Sequence, residues 1–210
     1  VNGVIQEMTR IQHDGYGRPH IDGIAGCSVS HADGFTALAV SRHPIGVDIE
    51  VLRPVNAWDL WPYCTERERG MMRAVDSMQE RAHVALTMWT RKEAVLKLLG
   101  CGLRVPPECV DVSGPHVDIT AALHAMRHDE DLTQLAEEIC HRSVEVCSWE
   151  CPVSTDVREV ADGPKSVGTT VLLSIARYAA YPQEKADSMP VRLVSDVSEP
   201  SMICGAWSTA

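Results

Sequence analysis

No apolar run approaches the roughly 20 residues that a membrane-spanning helix needs, and no basic stretch followed by an apolar one opens the chain as an export signal would. A soluble, cytoplasmic protein is expected. Positive charge is scarce: 19 Lys and Arg stand against 29 Asp and Glu, for a net charge of −10. Nucleic-acid binding asks for a basic face, so that class is set aside. An acidic protein partner would have to be met by a local basic or apolar patch and not by the overall field. Low-complexity tracts are missing too. Cysteine is present, with eight residues, but at irregular spacing. Without an export signal, reduced thiols are expected rather than a disulfide framework. Cys140, His141, Cys147 and Cys151 form the one cluster. It lacks the C-x₂-C pair usual in zinc sites, so buried, inert thiols are the simple expectation. What remains is a chain of 210 residues, 45% hydrophobic, enough for one large domain or two small ones.

Ile24 to Ser30 reads as a strand, Asp33-Gly34 as a hairpin turn, Phe35 to Ser41 as the return strand and Ile45 to Val51 as a third, giving a three-strand meander. Ala57 to Tyr63 reads as a helical turn. Thr65 has the look of an N-cap with Glu68 as its capping-box partner, and Ser77 with Glu80 repeats the pattern at the head of a long helix to Leu99. Ala82, Ala85, Leu86, Trp89, Val95 and Leu96 make its core stripe, and Gly100 and Gly102 stop it. Farther on, residues 109–112 and 116–120 read as short strands and residues 131–142 as an amphipathic helix. Residues 144–149 read as a strand closed by Cys151-Pro152, and residues 152–168 as a loop. Residues 169–178 read as a central strand, 182–190 as a loop and 191–194 as an edge strand.

Chemistry concentrates between Ile45 and Gly100. Asp48 and Glu50 alternate with Val47 and Ile49, so on a strand both acids share one face. Glu93 and Lys97 lie four apart, on one face of the long helix. Three carboxylates are hard oxygen donors of the kind that suits Mg²⁺, an ion that keeps waters and completes its shell with phosphate oxygens. Taken one at a time, each pair is more simply a solvated strand end or a surface salt bridge. Glu66, in the first turn of its helix, is first of all a carboxylate favoured by the helix dipole.

As a set, the motifs carry more. Tyr16-Gly17-Arg18-Pro19, then Cys27-Ser28-Val29-Ser30-His31-Ala32, then Gly46-Val47-Asp48-Ile49-Glu50, then Trp89-Thr90-Arg91-Lys92-Glu93-Ala94-Val95-Leu96-Lys97 occur in this order. The pattern resembles the 4′-phosphopantetheinyl transferases of the surfactin type, over about Tyr16 to Pro107. The resemblance implies an α+β fold of two similar halves, each a small antiparallel sheet with a packed helix. Residues 1–51 would form the N-terminal half, 52–200 the C-terminal half and 201–210 a tail. The chain opens on Val1, and fifteen residues precede Tyr16. The family carries a longer helical segment there, so the first half is expected to be truncated.

The resemblance further implies Mg²⁺-dependent transfer of 4′-phosphopantetheine from coenzyme A to a serine of an apo acyl or peptidyl carrier protein, the holo-carrier synthase reaction, with release of 3′,5′-ADP. Mn²⁺ would serve in place of Mg²⁺. By the same resemblance Asp48, Glu50 and Glu93 would hold the metal, Lys97 would meet a phosphate or the leaving group, and Arg18, Ser30 and His31 would hold the 3′-phosphate of coenzyme A. The general base stays open between Glu93, acting through a metal-bound water, and Glu66. A relative that binds carrier or coenzyme without catalysis is the alternative, and a different metal-dependent phosphoryl enzyme a third. Fatty acid, polyketide and nonribosomal peptide carriers are equally open as substrates.

Overall fold

In the computed structural model, residues 11–14, 18–154, 168–179 and 191–195 are described. Expectations placed on Tyr16 and Gly17, on the first ten residues, on residues 155–167 and 182–190 and on the tail lie outside them. Two short strands, β1 (Gln12–His13) and β2 (Pro19–His20), pair antiparallel. β3 (Gly26–Ala32) and β4 (Phe35–Ser41) form the expected hairpin, turned at Asp33 and Gly34 with φ of 43° and 83°. Positive φ at both turn positions matches the right-handed twist of the flanking strands. β3 starts two residues later than expected, because Ile24 bridges back to Ile21 instead.

β5 (Ile45–Val51) departs from the expected meander. The hairpin belongs to a sheet of order β3-β4-β9, whereas β5 opens a second sheet of order β5-β8-β7-β6. The reason is its two-faced pattern. Ile45, Val47 and Ile49 pack onto Phe35, Ala37 and Ala39 of β4 in one buried cluster, so β5 lies across the hairpin and not beside it.

Two 3-10 turns, Ala57–Asp59 and Trp61–Tyr63, lead to α1 (Glu66–Arg73) and α2 (Met78–Leu99). Both helices are capped as the sequence suggests. Thr65 and Glu68 complete a reciprocal capping box, and the Ser77 hydroxyl accepts from the Glu80 amide. β6 (His116–Val117) is short, and the remainder of the expected strand 116–120 gives way to α3 (Thr120–Arg127). The run Ala121-Ala122-Leu123-His124-Ala125-Met126 is rich in strong helix formers, and that local preference prevails. α4 (Thr133–Ile139) is the core of the amphipathic helix expected there.

β7 (Val144–Ser154) runs through Pro152 and does not stop at it. Pro152 opposes Thr170 of β8, while β6 covers only Val144 and Glu145 on the other side. Among the described residues that side of β7 is an edge at Pro152, where proline's missing N–H costs no ladder bond. β8 (Gly168–Tyr178) is central between β5 and β7, and β9 (Val191–Ser195) pairs with β4.

The second sheet is the middle of the molecule. One face meets the hairpin sheet. The other packs Val144, Val146 and Ala176 against Ala94, Val95, Leu98 and Leu99 of α2, with α3 and α4 closing the same core. Gly46 sets how closely α2 approaches. A Cβ there would overlap the Ala94 carbonyl, so only glycine admits the helix at this depth. No helix among the described residues is long and apolar enough to cross a membrane.

Candidate functional site

The even-numbered residues of β5 face α2. Gly46 touches it, and Asp48 and Glu50 follow at two-residue steps on the same face. Glu93 stands one residue before Ala94, the residue that seats on Gly46. Strand and helix therefore present Asp48, Glu50 and Glu93 to a common space, and each acid feels the others. Burial chiefly, then the charge of Asp48, hold the Glu50 and Glu93 carboxyls above the usual range. Asp48 is only 4% exposed, and its burial outweighs its cationic partner to push its carboxyl up as well.

Asp48 is held through one oxygen. Its Oδ1 accepts from Ser30 Oγ at 2.7 Å and from Lys97 Nζ at 2.7 Å. Its Oδ2 is buried with no hydrogen-bond partner. Such an orphaned acceptor costs about 1–3 kcal/mol. Glu50 accepts from the Trp89 indole, whose ring lies 5.2 Å from that of Tyr63. Trp89 is thus half-buried with a polar task, and not simply core as its place in the apolar stripe suggests.

Lys97 also lines a cleft of about 630 Å³ that opens beside the acids, between the loop of Arg18 to His20, β3 and the C-terminal end of α2. Arg18, Lys97 and Arg104 stand on its walls against one acid, Asp14, with His20 beside them, so the lining carries net positive charge where the neighbouring cluster is anionic. Lys97 is the hinge between the two: its ammonium pairs with Asp48, yet its side chain is 29% exposed toward the cleft. A polyanion in the cleft would meet Lys97 at one end and the carboxylates beyond it.

Residues 44–139 match a protein family described as the 4′-phosphopantetheinyl transferase superfamily. The chain is also 28% identical over 91 residues to the 4′-phosphopantetheinyl transferase gsp of Aneurinibacillus migulanus. That alignment takes in 43% of this chain and 38% of the relative, so the chain spans well under half the length of the curated protein it resembles. Over residues 44–139 the chain is similar to the 4′-phosphopantetheinyl transferase superfamily. The small antiparallel sheets with packed helices are the mixed α+β fold expected of it.

Within the matched residues lie Asp48, Glu50, Glu66, Glu93 and Lys97, while Arg18, Ser30 and His31 precede them. The structure brings Asp48, Glu50, Glu93 and Lys97 together. Arg18 reaches the cleft, where its Nε meets Asp14 Oδ2 at 2.6 Å and its guanidinium packs over Gly100 at the C-terminus of α2. A cation is favoured there by the helix dipole. Ser30 and His31 part company. Strand alternation buries Ser30 against Asp48 and leaves His31 exposed on the other side of β3. Glu66 lies on the surface of α1, paired with Arg73 at 2.7 Å and Arg69 at 3.8 Å, and its carboxyl is held low by Arg73.

Two charged residues of the same motifs have a structural part that residue spacing did not single out. Lys92 and Glu68 are 1% and 0% exposed and pair at 2.8 Å. Lys92 Nζ also donates to the carbonyls of Pro107 and Val110, and Glu68 accepts from the amides of Thr65 and Val112. The pair ties α1, α2 and the segment 107–112 into one block behind Glu93. Its signal was visible as the capping-box glutamate and the lysine next to Glu93, but nothing in the spacing says that they meet.

A divalent ion suits the chemistry of this donor set: three mutually repelling carboxylates, one with a buried oxygen lacking any donor. Among the described residues no three His, Cys, Asp or Glu side chains already close around a single point. An ion that retains waters and takes one or two carboxylates needs no such closed cage. The seven described cysteines are free, those of the 140–151 region included.

Proposed function

We propose that the chain transfers the 4′-phosphopantetheine moiety of coenzyme A to a serine of an apo acyl or peptidyl carrier protein and releases 3′,5′-ADP. The observation that carries this reading is the adjacency of the acid cluster to the cationic cleft, joined by Lys97. A pyrophosphate diester ending in a phosphorylated nucleoside offers charge to both. Its nucleotide phosphates suit Arg18, His20 and Arg104, whose cationic or protonatable heads line the cleft. Arg suits phosphate through its forked donors. The diphosphate would then lie next to Lys97 and face Asp48, Glu50 and Glu93.

Asp48 Oδ2, Glu50 and Glu93 would hold Mg²⁺ or Mn²⁺, which when bound supplies Lewis-acid neutralisation of the pyrophosphate. Lys97 would leave Asp48 to pair with the phosphate that departs as 3′,5′-ADP, stabilising charge as it develops. The carrier serine attacks the β-phosphorus, the bond to the bridging oxygen breaks, and the serine proton must find a base. Glu93 suits that task better than Glu66. Glu93 lies in the acid cluster beside Asp48 and Glu50, whereas Glu66 is paired with Arg73 on the outer surface of α1.

The test is mass spectrometry of an apo carrier mixed with the protein, coenzyme A and Mg²⁺. Gain of the phosphopantetheine mass is expected, with its loss in Glu93→Gln at unchanged folding. Undiminished transfer by that variant refutes the assignment of Glu93. The second reading is binding of carrier or coenzyme without transfer. Binding with no mass gain would select it.

A further inference from the structure

β3 is built to hold β5, and it does so with two hydroxyls. Ser28 and Ser30 are two apart and share the inward face of the strand, each almost fully buried. Among the described residues β5 is the outer strand of its sheet, and its main-chain groups on that side have no ladder partner there. Ser28 answers this by accepting the Val47 amide at 3.0 Å. One step along, Ser30 Oγ donates to Asp48 Oδ1 at 2.7 Å. The first serine holds the backbone, the second the carboxylate.

The Ser30 bond has a geometric consequence. Ser30 and Lys97 both donate to Oδ1, so the carboxylate is held at that oxygen while Oδ2 stays buried with no hydrogen-bond partner. Lys97 has another place to go, since it lines the cleft. Once it leaves, Ser30 is the donor that keeps the orientation. Outer donors of this kind fix a ligand's rotation and commonly set a tenfold or greater part of metal affinity.

We propose that Ser30 is a positioning residue for Asp48, serving the divalent-ion end of the site and not the nucleotide end of the coenzyme. The inference rests on the metal reading of Asp48, Glu50 and Glu93 given above, but not on transfer itself. It separates Ser30 from its sequence neighbour His31, which points out of the strand's opposite face.

Two binding measurements on the full chain test it, without any turnover. Mn²⁺ binding to the protein alone is followed by electron paramagnetic resonance, and 3′,5′-ADP binding in EDTA by calorimetry. Ser30→Ala should weaken Mn²⁺ about tenfold and leave 3′,5′-ADP affinity unchanged. Ser30→Thr, which restores a hydroxyl on a strand-compatible side chain, should recover Mn²⁺ binding. Ser28→Ala, which loosens the same strand pair through the backbone, should lower the unfolding midpoint without moving the Mn²⁺ constant. Wild-type Mn²⁺ affinity in Ser30→Ala overturns the proposal. So does a loss of 3′,5′-ADP affinity in its place, or an equal loss of Mn²⁺ binding in Ser28→Ala. If the unaltered protein binds no Mn²⁺, the metal reading of the three acids falls first and this inference with it.

Discussion

Lys92→Met should be among the most damaging single substitutions in the chain. Lys92 lies 1% exposed on α2, and its ammonium spends all three donors, on Glu68 at 2.8 Å and on the carbonyls of Pro107 and Val110. Methionine fits the volume but supplies no donor. Glu68 would then stand buried with its charge uncompensated and two carbonyls would lose their partner. Breaking a buried pair from one side costs about 3–5 kcal/mol. For a chain of this size that is a fall of roughly 10 °C in melting temperature. Urea unfolding followed by tryptophan fluorescence measures it. Glu68→Gln removes the charge and keeps one acceptor oxygen, while its amide nitrogen can no longer accept. The double variant should therefore be less damaged than the sum of the two singles, by at least about 1 kcal/mol, as expected of contacting residues. A Lys92→Met loss below about 1 kcal/mol, the scale of an exposed pair, would show that the pair is not desolvated and that α1 and the segment 107–112 do not depend on it.

Two other outcomes follow from the same geometry. Asp48, Glu50 and Glu93 all have carboxyls raised by burial. A raised acid binds its proton more tightly in the folded state, so the stability it contributes is present below the ordinary carboxylate pKa and is lost as pH rises through the folded value. In EDTA, the melting temperature should therefore fall as pH climbs from the ordinary carboxylate range toward neutrality, and Mg²⁺ should restore it most at the neutral end; a pH-independent response to Mg²⁺ would contradict this. Gly46→Ala forces a methyl onto the Ala94 carbonyl of α2, and overpacking of this kind costs about 1–3 kcal/mol. Unfolding midpoints should drop accordingly and Mn²⁺ binding should weaken as the helix retreats from β5; an unchanged midpoint would mean that the helix does not seat there.

Much of this molecule was legible in residue order. Alternation of acids with Val and Ile placed Asp48 and Glu50 on one face of a strand, and the capping residues Thr65 and Ser77 fixed where both long-range helices begin. Those signals are local, set by backbone sterics and by hydrogen bonds spanning three or four residues. What failed was partnership. β5 follows the hairpin in sequence with only Arg42, His43 and Pro44 between, yet it pairs with β8, more than a hundred residues away. Pro152 reads as a stop until the missing neighbour at its edge is known. α3 was open to a propensity reading, and the apolar ends at Val117 and Ile119 drew it toward strand instead.

The candidate site divides the same way. Sequence alone determined which residues carry charge and which turns present them: three acids, a lysine one helical turn past Glu93, and an arginine in the Gly-Arg-Pro loop. Tertiary structure decided which of them meet. It put Ser30 on Asp48 and left His31 exposed on the opposite face of β3. It left Glu66 on the surface while burying Glu68 against Lys92, although the two glutamates are two residues apart. Spacing along a chain dictates the direction of a side chain relative to its own strand or helix. Which charge lies at the far end of that direction depends on how β5, α2 and the hairpin pack, and packing is settled by burial of apolar faces that carry no record of the charges beside them.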